Sequence, residues 1–344
     1  MVQNELESTI YDDAHILMEQ KICVKYVKTT RSASLINATL IKRGNKCSAS
    51  ADLVGRHVSF TVIVNSDCNT MSRIQKLIYW SLYMRYEFAK CLGNKQGHII
   101  EKKMANVIKK YNCSFDKSET TTTISEFSVE YSYFSLPKVD GIEPKTLRQI
   151  DYSREFSFHE IKDLNKKICQ NSCKKSKISC KNYSYKNPKK CNECLCPYFY
   201  NGYKCQNFVK SQHPKLCGKG SLTAQRKLSK MSLNLEVGCL YKVKAKNKKR
   251  QIKVTFKFDQ PVFWDCKIYR NLEIRYRKDK SETGLIPCGN MSKFSVTGSY
   301  GGYILIYHPK LYSNRPRKII MEYYELKTKM SKIYKEKKFK NFAK

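Results

Sequence analysis

The chain has 344 residues, and 66 Lys and Arg stand against 29 Asp and Glu, a formal charge of +37. Hydrophobic residues make up 41% and aromatics 12%, which suffices for packed cores and excludes wholesale disorder. The length corresponds to about two domains, or three if small modules are present. No apolar run is long enough to span a membrane as a helix.

In chain order, residues 11–20 carry helical periodicity and give way to an alternating stretch, 23–27, that reads as a strand. Residues 35–41 and 57–64 are further strand candidates. Residues 71–89 run without Gly or Pro and make the strongest helix pattern in the chain. Residues 169–205 hold seven cysteines and almost no aliphatic residues, so crosslinks must replace burial there. From about Phe208 onward, alternating patterns at 252–258, 272–276 and 303–307 predict a β-sandwich. Residues 327–344 read as a basic tail.

Sixteen cysteines admit two readings, thiol metal ligands or disulfides. Only Cys191-Asn-Glu-Cys194 has C-x-x-C spacing, and no matching knuckle supplies further ligands, which favours eight disulfides and an oxidising compartment. Four sequons, at Asn37, Asn112, Asn182 and Asn290, are glycosylation candidates. The first residues contain no apolar segment resembling a signal peptide, so a secreted chain is expected to begin further upstream. The basic residues are scattered along the sequence. With this cysteine content, an extracellular protein or peptide is the expected partner, an acidic glycan is a further candidate, and nucleic acid is not expected.

Several fragments, taken in order, resemble the astacin metalloproteases of nematode type, in which a protease domain precedes EGF-like and CUB domains. Ile16-Leu-Met-Glu-Gln-Lys-Ile-Cys-Val-Lys-Tyr26 resembles the family's first helix and strand. Val54-Gly-Arg-His-Val-Ser59 resembles its edge strand, and Ser66-Asp-Cys68 the "S-G-C" that follows. Gly141-Ile-Glu-Pro144 resembles "TIEP". Ile150 to Cys169, with Phe156-Ser-Phe-His-Glu-Ile161 and Leu164-Asn165, resembles the closing segment of the family's domain. Tyr183 to Pro188 resembles an EGF-like loop. Cys217-Gly218, Leu272-Glu-Ile274, Thr283-Gly284 and Cys288-Gly289 resemble CUB signatures.

The resemblance implies a metzincin-like α+β protease domain over 1–169 lacking its first strand, an EGF-like module over 170–206, an all-β CUB sandwich over 217–326, and the tail. It also implies the disulfides Cys23–Cys169, Cys47–Cys68, Cys173–Cys191, Cys180–Cys194, Cys196–Cys205, Cys217–Cys239 and Cys266–Cys288. Cys91 and Cys113 are left to pair with each other. An edge strand over 54–64, or a CUB face, would hold a peptide by strand addition.

The family's zinc motif, H-E-x-x-H-x-x-G-x-x-H, begins eight residues after the "S-G-C" cysteine, which here is Lys76. The first two imidazoles share one helical face and the Glu deprotonates metal-bound water. This chain instead has Lys76, Trp80 and Tyr86 at the ligand positions and Leu77 at the general base; Tyr83 replaces the Gly, and Glu87 alone is retained. Lysine is cationic at neutral pH. An indole has no lone pair to offer, and a phenol ionises only near ~10. No His-x-x-x-His occurs in any register. The Met-turn window, 128–132, carries Glu130 in place of Met. The CUB calcium window reads Tyr269-Arg-Asn271 without the expected Asp. The expectation is a secreted homologue without catalytic residues or bound zinc, its Tyr79, Trp80, Tyr83 and Tyr86 filling the former cleft as core. An active zinc endopeptidase and a basic glycan-binding protein are the alternatives.

Overall fold

The computed structural model describes residues 5–27, 39–45, 48–54, 57–65, 71–91, 157–247, 249–264, 272–287, 289–298, 302–308, 310 and 318–329. They form two compact units. The first takes the described residues up to Cys180 together with Tyr185–Leu195; the second takes Lys181–Ser184 and those from Cys196 on. The cysteine-rich segment is therefore shared between the units.

In the first unit, helix α1 (Glu5–Lys21) presents Tyr11, Ala14 and Met18 as one buried stripe, continued by Ile22. Strands β1 (Thr39–Arg43), β2 (Ser48–Val54) and β3 (His57–Val64) form a sheet in the order β1-β3-β2. β3 pairs parallel with β1 and antiparallel with β2. Within the stretch expected as an edge strand, 54–64, β3 is thus internal, because both its ladders are occupied, and β1 and β2 are the outer strands among the described residues. Helix α2 (Met71–Cys91) packs on α1 and on the sheet. The expected strand at 23–27 does not form. Its Tyr26 amide donates to the Glu19 carboxylate and its ring packs edge-on against His15 at 4.4 Å, so the segment folds back on α1.

Helix α3 (Phe158–Ile168) opens with a capping box in which Ser157 Oγ accepts from the Glu160 amide at 3.2 Å and Glu160 accepts from the Ser157 amide at 2.7 Å. Buried Asn165 donates to the Lys21 carbonyl at 2.8 Å and to the Ile161 carbonyl at 2.9 Å, fastening α3 to the end of α1. The Cys23–Cys169 bond closes the same corner across a sequence separation of 146. By the loop-entropy model a loop of that size contributes on the order of 4 kcal/mol. Two short strands, β4 (Tyr185–Lys186) and β5 (Cys194–Leu195), pair antiparallel beneath the Cys173–Cys191 and Cys180–Cys194 bonds.

The second unit begins with β6 (Tyr200–Asn201) and β7 (Asn207–Phe208), crosslinked by Cys196–Cys205, and a short helix α4 (Pro214–Cys217). Eight strands follow: β8 (Ser221–Ala224), β9 (Ser229–Leu233), β10 (Cys239–Ala245), β11 (Arg250–Trp264), β12 (Glu273–Arg275), β13 (Gly289–Gly298), β14 (Tyr303–His308) and β15 (Ile319–Lys329). They form two four-stranded sheets, β12-β14-β10-β8 and β13-β11-β15-β9. Trp264, Tyr241, Phe256, Phe294 and Ile306 lie between the sheets, with the Cys217–Cys239 bond in the same core. This is the expected β-sandwich. β15 runs through Lys329, so the first three residues of the expected tail are strand.

A buried polar network ties the β6–β7 hairpin region to the sandwich. Glu273 accepts from Tyr198 Oη at 2.6 Å, from Arg275 Nε at 2.9 Å and from the Gly284 amide at 2.8 Å. The Arg275 guanidinium lies 4.6 Å from the Tyr198 ring centroid and 5.1 Å from that of Phe199. Gly284 approaches so closely that a Cβ there would lie 2.5 Å from the Ile274 backbone.

Lys280 is fully buried nearby, donating to the Arg277 carbonyl and lying 5.0 Å from the Tyr303 ring centroid. Burial pulls its ammonium down to about 7, against the pull of Glu282 and Asp279 and with the push of Lys242. The unfolded chain, with an ordinary lysine near ~10.4, therefore binds one more proton at pH values between these limits, and stability rises with pH through that window. The denaturation midpoint of the sandwich is expected to increase between about pH 7 and 9. Lys280→Met should flatten that rise, and an unchanged slope would show that Lys280 is not its source.

Candidate functional site

Helix α2 carries the zinc-motif window, and its faces are set by spacing. Ile74, Leu77, Ile78, Ser81, Leu82 and Met84 are buried, a stripe at intervals of three and four that faces α1 and the sheet. Leu77, the general-base position, has no exposed surface and lies in a core with Tyr11, Met18, Ile74, Leu164 and Cys169. Ser81 Oγ donates back to the Ile78 carbonyl at 2.8 Å, which satisfies the one hydroxyl in the stripe.

Tyr79, Trp80, Tyr83 and Tyr86 are half-buried. They flank the apolar stripe instead of filling it, a correction to the expected aromatic core. The cause is helical phase: the stripe's aliphatic positions already meet α1 and the sheet. Tyr79 and Tyr83 stack at 6.1 Å with an interplanar angle of 11°, and Trp80 meets Tyr83 edge-on at 5.7 Å. Lys167 of α3 places its ammonium 4.3 Å from the Tyr83 centroid. Arg85, which drew no attention in the sequence, lies over Phe60 of β3 at 4.0 Å and donates to Thr39 Oγ1 of β1 at 2.9 Å. Burial pulls its guanidinium down to about 10, so it stays cationic, and burial pushes the neighbouring Tyr26 phenol up.

This surface offers ring faces and cations, and the described side chains do not fit a zinc ion. Leu77 is enclosed in hydrocarbon. The Trp80 indole packs on a tyrosine and can only donate. Lys76 lies on the same helix. The described histidines fall on different elements: His15 on α1, His57 on β3, His159 on α3, His213 before α4 and His308 on β14, and His98 lies outside the described residues.

Five disulfides close among the described residues: Cys23–Cys169, Cys173–Cys191, Cys180–Cys194, Cys196–Cys205 and Cys217–Cys239, with Cα–Cα distances of 5.6, 5.3, 5.8, 5.4 and 5.6 Å. They are pairs the resemblance implies, and the three of the cysteine-rich segment follow its EGF-like order. Cys91 is the last residue of α2, and its proposed partner Cys113 lies outside the described residues. So do Cys47, Cys68, Cys266 and Cys288, the sequons at Asn37 and Asn112, the Met-turn window and the calcium window at 269–271. Asn182 lies in the loop before β4 and Asn290 on β13.

No family model matches the chain. Over 296 residues it is 24% identical to zinc metalloproteinase nas-34 of Caenorhabditis elegans, an alignment that covers 81% of this chain and 47% of that protein. Zinc metalloproteinase nas-36 of Brugia malayi is 37% identical over 98 residues, 28% of this chain and 16% of that protein. The chain thus spans about half or less of the length of these relatives. Among solved structures, the CUB1-EGF-CUB2 domain of human MASP-1/3 aligns with 45% of this chain and 57% of that one, at 15% identity and a TM-score of 0.24. Over most of its length the chain is thus similar in sequence to nematode astacin-type zinc metalloproteinases.

Proposed function

We propose that the chain is a secreted, catalytically inactive homologue of these metalloendopeptidases, with a metzincin-like first domain, acting as an extracellular protein-binding module. The observation that carries this reading is Leu77, buried without exposure at the position where the family places its base. A carboxylate there would sit in hydrocarbon, and the Leu77 side chain offers no proton acceptor to a water nucleophile. Trp80 and Tyr86 leave the metal without the imidazoles that would hold it. Five closed disulfides among the described residues, and no helix there long and apolar enough to cross a membrane, support an extracellular setting.

Peptide binding by strand addition would use β2, one of the two outer strands of the β1-β3-β2 sheet among the described residues. The refolded, disulfide-intact chain is expected to cleave no member of a quenched-fluorescence peptide library, with or without added zinc. An extended peptide that it binds should slow amide exchange in Ser48–Val54. Chelator-sensitive cleavage would overturn the inactive reading, and binding that leaves β2 exchange unchanged would move the partner site elsewhere.

A second reading, binding of an acidic glycan, is favoured by the outer face of the sheet β13-β11-β15-β9. Lysines scattered in the sequence are gathered there by register. Lys253 and Lys257 alternate outward on β11, Lys293 stands directly opposite Lys257, and Lys230 stands opposite Glu322. Glu322 bridges to Lys257 at 2.8 Å and to Lys230 at 3.2 Å, and these contacts hold its carboxyl below the usual carboxylate range. Like charges facing each other across a ladder are unfavourable unless an anion meets them. Elution from heparin should need markedly less salt once Lys253, Lys257 and Lys293 are changed to Ala. Unchanged elution would assign the affinity to basic residues outside this face.

A further inference from the structure

The two sequons within the described residues stand in opposite circumstances. Asn182 adopts a left-handed backbone, φ 51°, followed by Tyr183 at φ 64°. Its side-chain Nδ2 donates to the Cys205 carbonyl at 2.8 Å, beside the Cys196–Cys205 crosslink. The hydroxyl of its sequon, Ser184 Oγ, is itself turned back onto the Lys181 carbonyl at 2.5 Å. The amide nitrogen that would carry a sugar is thus part of the turn that closes this loop.

Asn290 is exposed on β13, and Ser292, the sequon's hydroxyl residue, is exposed with it, while Met291 between them is buried. Its cross-strand partner on β11 is Phe263. Val262 and Trp264 point into the sandwich, so Phe263 points out, and it is 69% exposed. Residues directly opposite on an antiparallel pair have Cβ atoms about 5 Å apart, within reach of the first sugar of a glycan.

We propose that Asn290 is an N-glycosylation site of this chain, that Asn182 is not, and that the first sugar covers the ring of Phe263. The inference rests on the reading of the chain as secreted. In the transfer, Nδ2 of Asn290 displaces the pyrophosphate at the anomeric carbon of a lipid-linked oligosaccharide. The N-glycosidic bond forms, and the lipid pyrophosphate and one proton leave. Transfer takes place on the emerging chain, so what the fold decides is which glycan the finished molecule can carry. At Asn290 the sugar lies over an apolar ring on the outside of the sheet. At Asn182 the sugar would replace one of the two Nδ2 hydrogens and crowd the nitrogen whose bond to the Cys205 carbonyl closes the loop.

The test is to express the full chain behind a cleavable leader in a eukaryotic host and to map glycopeptides in the folded fraction, from the medium or from the lumen. The leader imposes the compartment, so failure of the natural chain to be exported would weigh on the secretion reading alone. Glycan on Asn290 in most molecules, and bare Asn182, is the expected result. Asn290→Gln should lengthen retention on a hydrophobic-interaction column, and adding Phe263→Ser should cancel that change. Bare Asn290 in the folded chain overturns the site. An Asn290→Gln retention equal to that of the parent overturns the covering of Phe263. Glycan on Asn182 in the folded chain overturns the discrimination between the two sequons.

Discussion

The first unit is organised by the apolar stripe of α2 and, at its centre, by Leu77. Three layers meet there: α1 through Tyr11, Ala14 and Met18, α3 through Ile161 and Leu164, and the sheet through Val62. An ionised group in that contact would be desolvated without a compensating charge, at a cost of several kcal/mol. The helix closes this core with an apolar side chain, Leu77, at the position read as that of the general base. The residues that hold the unit together occupy places where a hydrolase would need polar groups.

Elsewhere crosslinks and buried polar networks take over from hydrocarbon. Cys23–Cys169, together with the two hydrogen bonds donated by Asn165, fixes α3 against the end of α1. In the second unit, Glu273 is saturated by a phenol, a guanidinium and a backbone amide, so its charge is tolerated in a buried setting. Removing Glu273 would leave the Arg275 charge buried and uncompensated, which is why the network specifies one arrangement of the hairpin region on β12.

Much of the fold was legible because its signals are local. Periodicity announced α1 and α2, and alternation announced β3, β11 and β14. What failed depended on pairing, which no local pattern encodes. Residues 23–27 alternate like a strand, yet the Tyr26 amide is taken by Glu19 and no ladder forms. Ser48–Val54 is rich in small and polar residues and gave no strand signal, but it pairs with β3 along its whole length. That pairing, with β1 on the other side, makes β3 internal, so the exposed edges fall on β1 and β2 among the described residues. The capping box Ser157-Phe-His-Glu160 was available to a closer reading, as was the Glu273–Arg275 pair, two residues apart and so on one face of a strand. The lysine face was not, since it exists only through the register of β9, β11 and β13. At the candidate site the motif positions were read directly, whereas Arg85 and Lys167 enter through contacts with rings distant in sequence.

The central claim is that α2 presents no grip for a hydrolytic metal ion. Metal analysis of the refolded, disulfide-intact chain, after equilibration with zinc and exhaustive dialysis, tests it most directly. Zinc far below stoichiometric is the result this account requires. Stoichiometric zinc that survives dialysis, and is lost when Trp80 and Tyr86 are replaced by Phe, would contradict it.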